Sequence, residues 1–143
     1  MPIIHAEDQR RDEIIRLLQS QKLPAEDLPV LLTDFYTAIE NDQLVGVIGM
    51  ERYGRFGLLR SMVVHPGFRN RQIAETLVNT LEQAAKSKEI MSMYLLTETA
   101  SKYFEKKGYK TIDREQVPES VKASSEFSSV CPVSATVMMK PID

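Results

Sequence analysis

The sequence has a single cysteine, Cys131, in 143 residues. A lone thiol has no partner in its own chain, so a disulfide-stapled scaffold is excluded. An excess of one charge is also missing. Eighteen Lys and Arg stand against 20 Asp and Glu, for a net charge of -2 and a pI near 5.8. A dedicated nucleic-acid binder carries surplus cations to neutralise phosphates, and this chain does not. No apolar run approaches the ~20 residues that span a bilayer. The opening Met1-Pro2-Ile3-Ile4-His5 passes straight into charged residues, which is not the pattern of a signal peptide. Internal repeats and low-complexity blocks are absent. What is present is ordinary: 43% hydrophobic and 27% charged residues, as in soluble globular proteins. The expectation is one compact domain over residues 1–143, cytoplasmic, with no nucleic-acid or membrane partner.

The hydrophobic pattern alternates between strand and helix periods. Residues 2–5 form a short apolar strand candidate. From Glu7 to Gln21 the period is helical, with Ile14, Ile15, Leu17 and Leu18 on one side and Arg10, Arg11, Asp12 and Arg16 toward water. Pro24 stops it, and Asp27 to Leu32 reads as a loop or one helical turn. Phe35–Ile39, a polar turn at Glu40-Asn41-Asp42-Gln43, and the nearly continuous apolar run Leu44–Met50 predict a β-hairpin. Leu58–Val64 adds a third strand. Ile73, Leu77, Leu81 and Ala84 recur at helical spacing from about Gln72 to Lys88. Met91–Thr97 is a strand, Thr99–Lys107 a helix stopped by Gly108, Tyr109–Asp113 a short strand, Pro118–Ala123 a helical turn and Ser134–Met139 a last strand. The predicted class is α/β: a mixed, mostly antiparallel sheet of about six to seven strands flanked by helices on both faces. Leu58–Thr97 is predicted to be a parallel strand–helix–strand crossover.

The stretch richest in chemistry is Val63-Val64-His65-Pro66-Gly67-Phe68-Arg69-Asn70-Arg71-Gln72-Ile73-Ala74. It is a strand end, a basic loop and a helix start. The first N–H groups of a helix lack internal partners and carry partial positive charge. A pyrophosphate can sit on them, with Arg69 and Arg71 to neutralise it. The plainer alternative is a solvated basic turn capped by Asn70.

Val-His-Pro-x-x-Arg-x-x-x-Ile-Ala followed by an amphipathic helix resembles the acetyl-CoA motif of the GNAT superfamily of N-acetyltransferases. Tyr94-Leu95-Leu96-Thr97-Glu98-Thr99-Ala100 with Tyr103-Phe104-Glu105-Lys106-Lys107-Gly108-Tyr109 resembles that superfamily's second motif. Leu59-Arg60-Ser61, Val117-Pro118-Glu119 and Glu126-Phe127-Ser128-Ser129-Val130-Cys131-Pro132 are similar to its arsenic-resistance-linked branch. That branch is in turn similar to the acetyltransferase domain of N-acetylglutamate synthase. The resemblance implies a GNAT-like sheet, acetyl-CoA as co-substrate, no metal, and transfer of acetyl to the amine of a small, anionic, amino-acid-like molecule. Homodimers are common among similar proteins. A GNAT-like module that binds acyl-CoA without turnover, and a protein-lysine acetyltransferase, are the competing readings.

The roles carried over are specific. Backbone groups of Met62 and Val64 would pair with the pantetheine arm as an added strand does. The N–H of Val63 or Val64 would polarise the thioester carbonyl. Arg69, Asn70, Arg71, Gln72, Ile73 and Ala74 would wrap the pyrophosphate. Gln72 stands where the family places a glycine, whose missing Cβ lets phosphate approach. Phe104 stands where many members have a tyrosine that reprotonates the thiolate, and falls to the cofactor side. Tyr103 next to it points about 100° away.

A lysine-like amine of pKa near 10.4 needs roughly 4–5 kcal/mol to shed its proton at pH 7, so a base is required. Many members use a glutamate on the fourth strand. That place is taken by Arg60, which suits a carboxylate held bidentately, unless it is a surface residue paired with Glu51 or Glu40. The candidate bases are then Glu98, Glu51, Glu126 and His65, with His65 more a loop residue than a base. Glu126 lies in a polar loop that would overhang the acceptor. Cys131 is read as a small buried hydrophobe rather than a reactive thiol.

Overall fold

The computed structural model describes residues 3–69, 72–124, 127 and 134–142. Among these, seven strands form one sheet in the order β1-β2-β3-β4-β5-β7-β6. The strands are β1 (Ile3–His5), β2 (Phe35–Glu40), β3 (Gln43–Tyr53), β4 (Phe56–Val64), β5 (Ser92–Thr97), β6 (Lys110–Thr111) and β7 (Thr136–Pro141). The helices are α1 (Arg11–Ser20), α2 (Ile73–Ser87), α3 (Ser101–Lys106) and α4 (Glu119–Lys122). The pairs β1–β2, β2–β3, β5–β7 and β6–β7 are antiparallel, and β4–β5 is parallel. The sheet is therefore mixed and mostly antiparallel, as the pattern of apolar runs predicts.

The chain divides into two compact units, each discontinuous in sequence. The first holds Met1–Met50 and Arg60–Ala84; the second holds Glu51–Leu59 and Ala85–Asp143.

In the first unit, Asn41 and Asp42 both take positive φ, 51° and 64°. That is the turn that matches the twist of a two-residue hairpin, and asparagine and aspartate tolerate it best. It fixes the register Glu40↔Gln43 through Phe35↔Gly49, with one irregularity between Ala38 and Ile39. Helix α1 lays Ile14, Leu17 and Leu18 into a core with Leu28, Leu32, Phe35, Leu44, Val47 and Val63. Each such side chain contributes about 1.5–3 kcal/mol when fully buried. Arg11 does not face water as expected: it donates to the carbonyls of Leu28, Pro29 and Val30 and ties that loop to α1. Arg10 pairs with Glu13 and Asp42.

Helix α2 starts close against β3. A Cβ on Gly46 would stand 3.1 Å from Leu77 Cδ1 and 3.3 Å from Ile73 Cγ2. The missing side chain is what lets the first two turns of α2 reach the strand. Along α2, Ile73, Leu77 and Leu81 are buried as predicted, while Ala85 rather than Ala84 completes the stripe.

In the second unit, Phe56–Leu58 pair with Ser92–Tyr94, and β5 is covered on its other edge by β7 along its whole length. Leu58, Tyr94, Val117, Val121 and Val137 form the core there. Helix α3 closes at Gly108, φ 98°, where the N–H of Tyr109 reaches back to the Phe104 carbonyl. Only a residue without Cβ takes that turn cheaply.

Candidate functional site

Six described residues other than glycine have positive φ. Asn41 and Asp42 make the hairpin. Lys22 and Glu89 end helices, where the chain turns back and the following N–H bonds to Leu18 or Ala85. Neither explanation covers the remaining two, Ser61 (φ 58°) and Gln72 (φ 61°). Ser61 lies inside β4, and Gln72 immediately precedes α2. Left-handed backbone in an L-residue costs about 1–2 kcal/mol, and such strain collects at functional sites. Both positions lie in the segment that the sequence singles out.

From Ser61 the chain runs through Met62, Val63 and Val64 to a single 3-10 turn at Pro66–Phe68. Val63 is buried; Met62 and Val64 are half-buried. The His65 N–H donates to the Val45 carbonyl at 2.8 Å. Its Nδ1 accepts from the Gly67 N–H at 3.0 Å, and its ring sits edge-on to Phe68. With that lone pair occupied, His65 serves as the cap of the turn.

Arg69 is exposed, and its guanidinium donates to the neutral Gln21 side chain at 2.9 Å. Among the described residues no carboxylate neutralises it. Asn70 and Arg71 lie outside the described residues. The Gln72 carbonyl accepts from the Thr76 N–H at 3.1 Å and the Thr76 Oγ1 at 2.9 Å, so Gln72 caps the helix. Its side chain is exposed. Helix α2 then presents the N–H groups of its first turn, beginning at Ile73 and Ala74. Gln72 takes the left-handed backbone shape that favours glycine, with its side chain directed to solvent. Chemically, this turn can hold an anion: helix N–H donors, the neighbouring exposed guanidinium of Arg69, and a left-handed backbone at Gln72.

Arg60 differs from expectation. It is buried rather than on the surface, and it forms an ion pair with Asp27. Nη2 reaches Asp27 Oδ1 at 2.8 Å and Nη1 reaches Oδ2 at 3.1 Å. Nη1 also donates to the Asp27 carbonyl. The Arg60 side chain is 0% exposed and that of Asp27 12%. The bidentate face expected to take an acceptor carboxylate thus takes a carboxylate of the chain itself. The guanidinium also lies 5.9 Å from the Phe35 ring centre.

In the second unit, Glu51 lies inside β3, which continues to Tyr53 beyond the expected end at Met50. Its carboxylate accepts from the Tyr53 hydroxyl two residues on, and the residue is half-buried. Glu98 is exposed in the bend after β5. The preceding Thr97 Oγ1 accepts from the Ala100 N–H at 3.0 Å and shapes that bend. Phe104 is 3% exposed, with edge-to-face contacts to Tyr103 and Tyr109. It packs as core. Glu126 and Cys131 lie outside the described residues. Among the described residues, no group of three His, Cys, Asp or Glu side chains gathers as for a metal ion.

The sequence reading missed Asp27 and Ser61. Asp27 sits between two prolines in a segment without periodicity, so nothing marks it as the partner of a residue 33 positions later. Ser61 interrupts an otherwise regular strand by one torsion, which residue type alone does not announce.

Comparison with known proteins adds the family. Residues 32–111 match the family model described as an acetyltransferase (GNAT) domain. An uncharacterized N-acetyltransferase of Chlorobaculum tepidum is 28% identical over 101 residues, which is 70% of this chain and 64% of that protein. An amino-acid acetyltransferase of Buchnera aphidicola is 27% identical over 92 residues, 62% of this chain but 21% of that protein. The chain therefore spans less than two thirds of either relative. Among solved structures, N-acetylglutamate synthase from Neisseria gonorrhoeae complexed with coenzyme A and N-acetyl-glutamate superposes with a TM-score of 0.85. The identity is 16%, over 99% of this chain and 35% of that one. At that identity the likeness speaks for the fold. With more than half its length matched by the family model, the chain belongs to the GNAT acetyltransferase family.

Proposed function

We propose that residues 1–143 act as one acetyltransferase domain. It would move acetyl from acetyl-CoA directly to the amine of a small, anionic, amino-acid-like molecule, in a cytoplasmic setting. The observation that carries this reading is the left-handed Gln72 at the start of α2, beside the exposed Arg69. Together they keep the shape and charge of a pyrophosphate cradle although the glycine is gone. The anionic acceptor is supported by the relative named an amino-acid acetyltransferase and by the neighbour complexed with N-acetyl-glutamate.

In this reading Arg69 through Ala74, Asn70 and Arg71 included, hold the pyrophosphate. Met62 and Val64 offer backbone groups to the pantetheine arm, and the N–H of Val63 or Val64 faces the thioester oxygen. Acetyl-CoA supplies an activated acetyl group and a thiol leaving group. Glu98, exposed at the end of β5, is the first candidate to accept the amine proton. Glu51 is the second, and the Tyr53 hydroxyl on its carboxylate would have to turn away. Phe104, buried in the core against Tyr103 and Tyr109, supplies no proton and would act on the cofactor side only by supporting α3. A thiolate of pKa near 8.5 leaves without a dedicated acid.

A second reading has one specific observation in its favour. Phe104 is sealed in an aromatic cluster and Arg60 is held by Asp27, so two places that many family members use for proton transfer hold neither acid nor base. That suits a weak or inactive acyl-CoA-binding module. A thiol-release assay with acetyl-CoA and a panel of amino acids separates them. Turnover with an acidic amino acid supports the enzyme; saturable CoA binding with no turnover on any acceptor supports the module.

A further inference from the structure

Successive side chains of a strand point to opposite faces. Arg60 and Ser61 are neighbours in β4, yet Arg60 Nε donates to Ser61 Oγ at 3.0 Å. The left-handed torsion at Ser61 brings the two side chains to one side. The bond and the torsion therefore occur together at this position. Arg60 itself cannot swing, because Asp27 holds both terminal nitrogens and the side chain is fully buried. Asp27 in turn belongs to a loop fixed by Arg11 through three carbonyls and by Leu28 and Leu32 in the core.

We propose that Asp27, Arg60 and Ser61 form a positioning relay that holds the left-handed kink in β4 and thereby sets the direction of the Met62–Val64 backbone toward acetyl-CoA. A one-residue kink bends a strand and re-aims everything after it. Arg60 is on this account a positioning residue. The proposal rests on the reading that Met62–Val64 line the cofactor, but its structural half stands apart from that reading.

The test uses two substitutions at one position. Ser61→Ala keeps the Cβ and its strain but removes the acceptor for Arg60. Ser61→Gly removes acceptor and strain together, and glycine tolerates positive φ. Both leave the Asp27–Arg60 pair intact, so folding is preserved, with thermal unfolding as the check. The structural readout is the backbone torsion at position 61, from a crystal structure or the NH–Hα coupling, together with amide exchange at Met62 and Val63. The functional readout is the Kd of CoA by calorimetry. Ser61→Ala should release the left-handed torsion, speed exchange at Met62 and Val63, and weaken CoA binding about three- to ten-fold, the net scale of one ordinary hydrogen bond. Ser61→Gly should lose less CoA affinity than Ser61→Ala, since glycine can take the left-handed torsion at no steric cost. Retention of the left-handed torsion and unchanged exchange in Ser61→Ala would overturn the relay, whether or not CoA binds. If the torsion is released but CoA affinity does not move, the link from kink to cofactor is overturned. Failure of the unaltered protein to bind CoA overturns the cofactor reading and leaves the torsion result to decide the relay.

Discussion

Gln72 offers the sharpest perturbation, because its backbone already has the conformation that favours glycine. Gln72→Gly removes a Cβ held at φ 61°. The left-handed torsion costs an L-residue about 1–2 kcal/mol. Glycine gives back roughly 0.5–1 kcal/mol of this through its freer unfolded chain. The folded protein should gain about 0.5–1 kcal/mol net, a rise of about 2–4 °C in Tm at this chain length. If a pyrophosphate sits against this residue, the lost side chain also opens the approach. CoA should then bind about three- to ten-fold more tightly, with 1.4 kcal/mol corresponding to ten-fold. Gln72→Val supplies the opposite sign, since a β-branched residue is a genuine outlier at positive φ. It should weaken CoA by about ten-fold, the equivalent of a further 1–2 kcal/mol of strain. Calorimetric titration of CoA and a thermal melt read both variants. Weaker binding in Gln72→Gly, or unchanged binding in Gln72→Val, would refute the placement of the pyrophosphate.

Three further outcomes are expected. Glu98→Gln should lower kcat by about 10²–10⁴ at pH 7, the usual scale of general-base catalysis, with CoA affinity intact; a similar loss in Glu51→Gln alone would move the base there. Asp27→Ala strands a buried guanidinium and should cost about 3–5 kcal/mol of stability, seen as a lower denaturation midpoint; a loss below 1 kcal/mol would show that Arg60 does not depend on Asp27. Gly46→Ala should push on Leu77 and Ile73 and destabilise by about 1–3 kcal/mol, which urea unfolding measures; neutrality would mean that α2 shifts freely.

The elements that sequence reveals are those whose signal is periodic or terminal. The Ile73–Leu81 stripe, the Asn41-Asp42 turn and Gly108 each predict what the structure holds, because burial period and turn chemistry are local. The edges were less legible. β7 runs Thr136–Pro141 rather than ending at Met139, and α3 occupies Ser101–Lys106. Pairing with β5 decides the first, and the Thr97 side chain delays the second. At the site, the basic turn before α2 is visible because charge and a helix start coincide in one stretch. The partner of Arg60 is not, since contact between residues 27 and 60 depends on how the loop after α1 folds back. Likewise, that Glu51 lies within its strand follows from the ladder continuing past Met50, which apolar patterning does not report.

The central claim is that the turn at Arg69–Ala74 grips a pyrophosphate. Parallel calorimetric titrations of the protein with CoA and with pantetheine, which shares the arm but lacks the nucleotide and its phosphates, test it most directly. Saturable heat with CoA, weakening as salt rises and at least ten-fold stronger than with pantetheine, is the predicted result. Equal affinity for the two, or no heat with CoA at all, would contradict it.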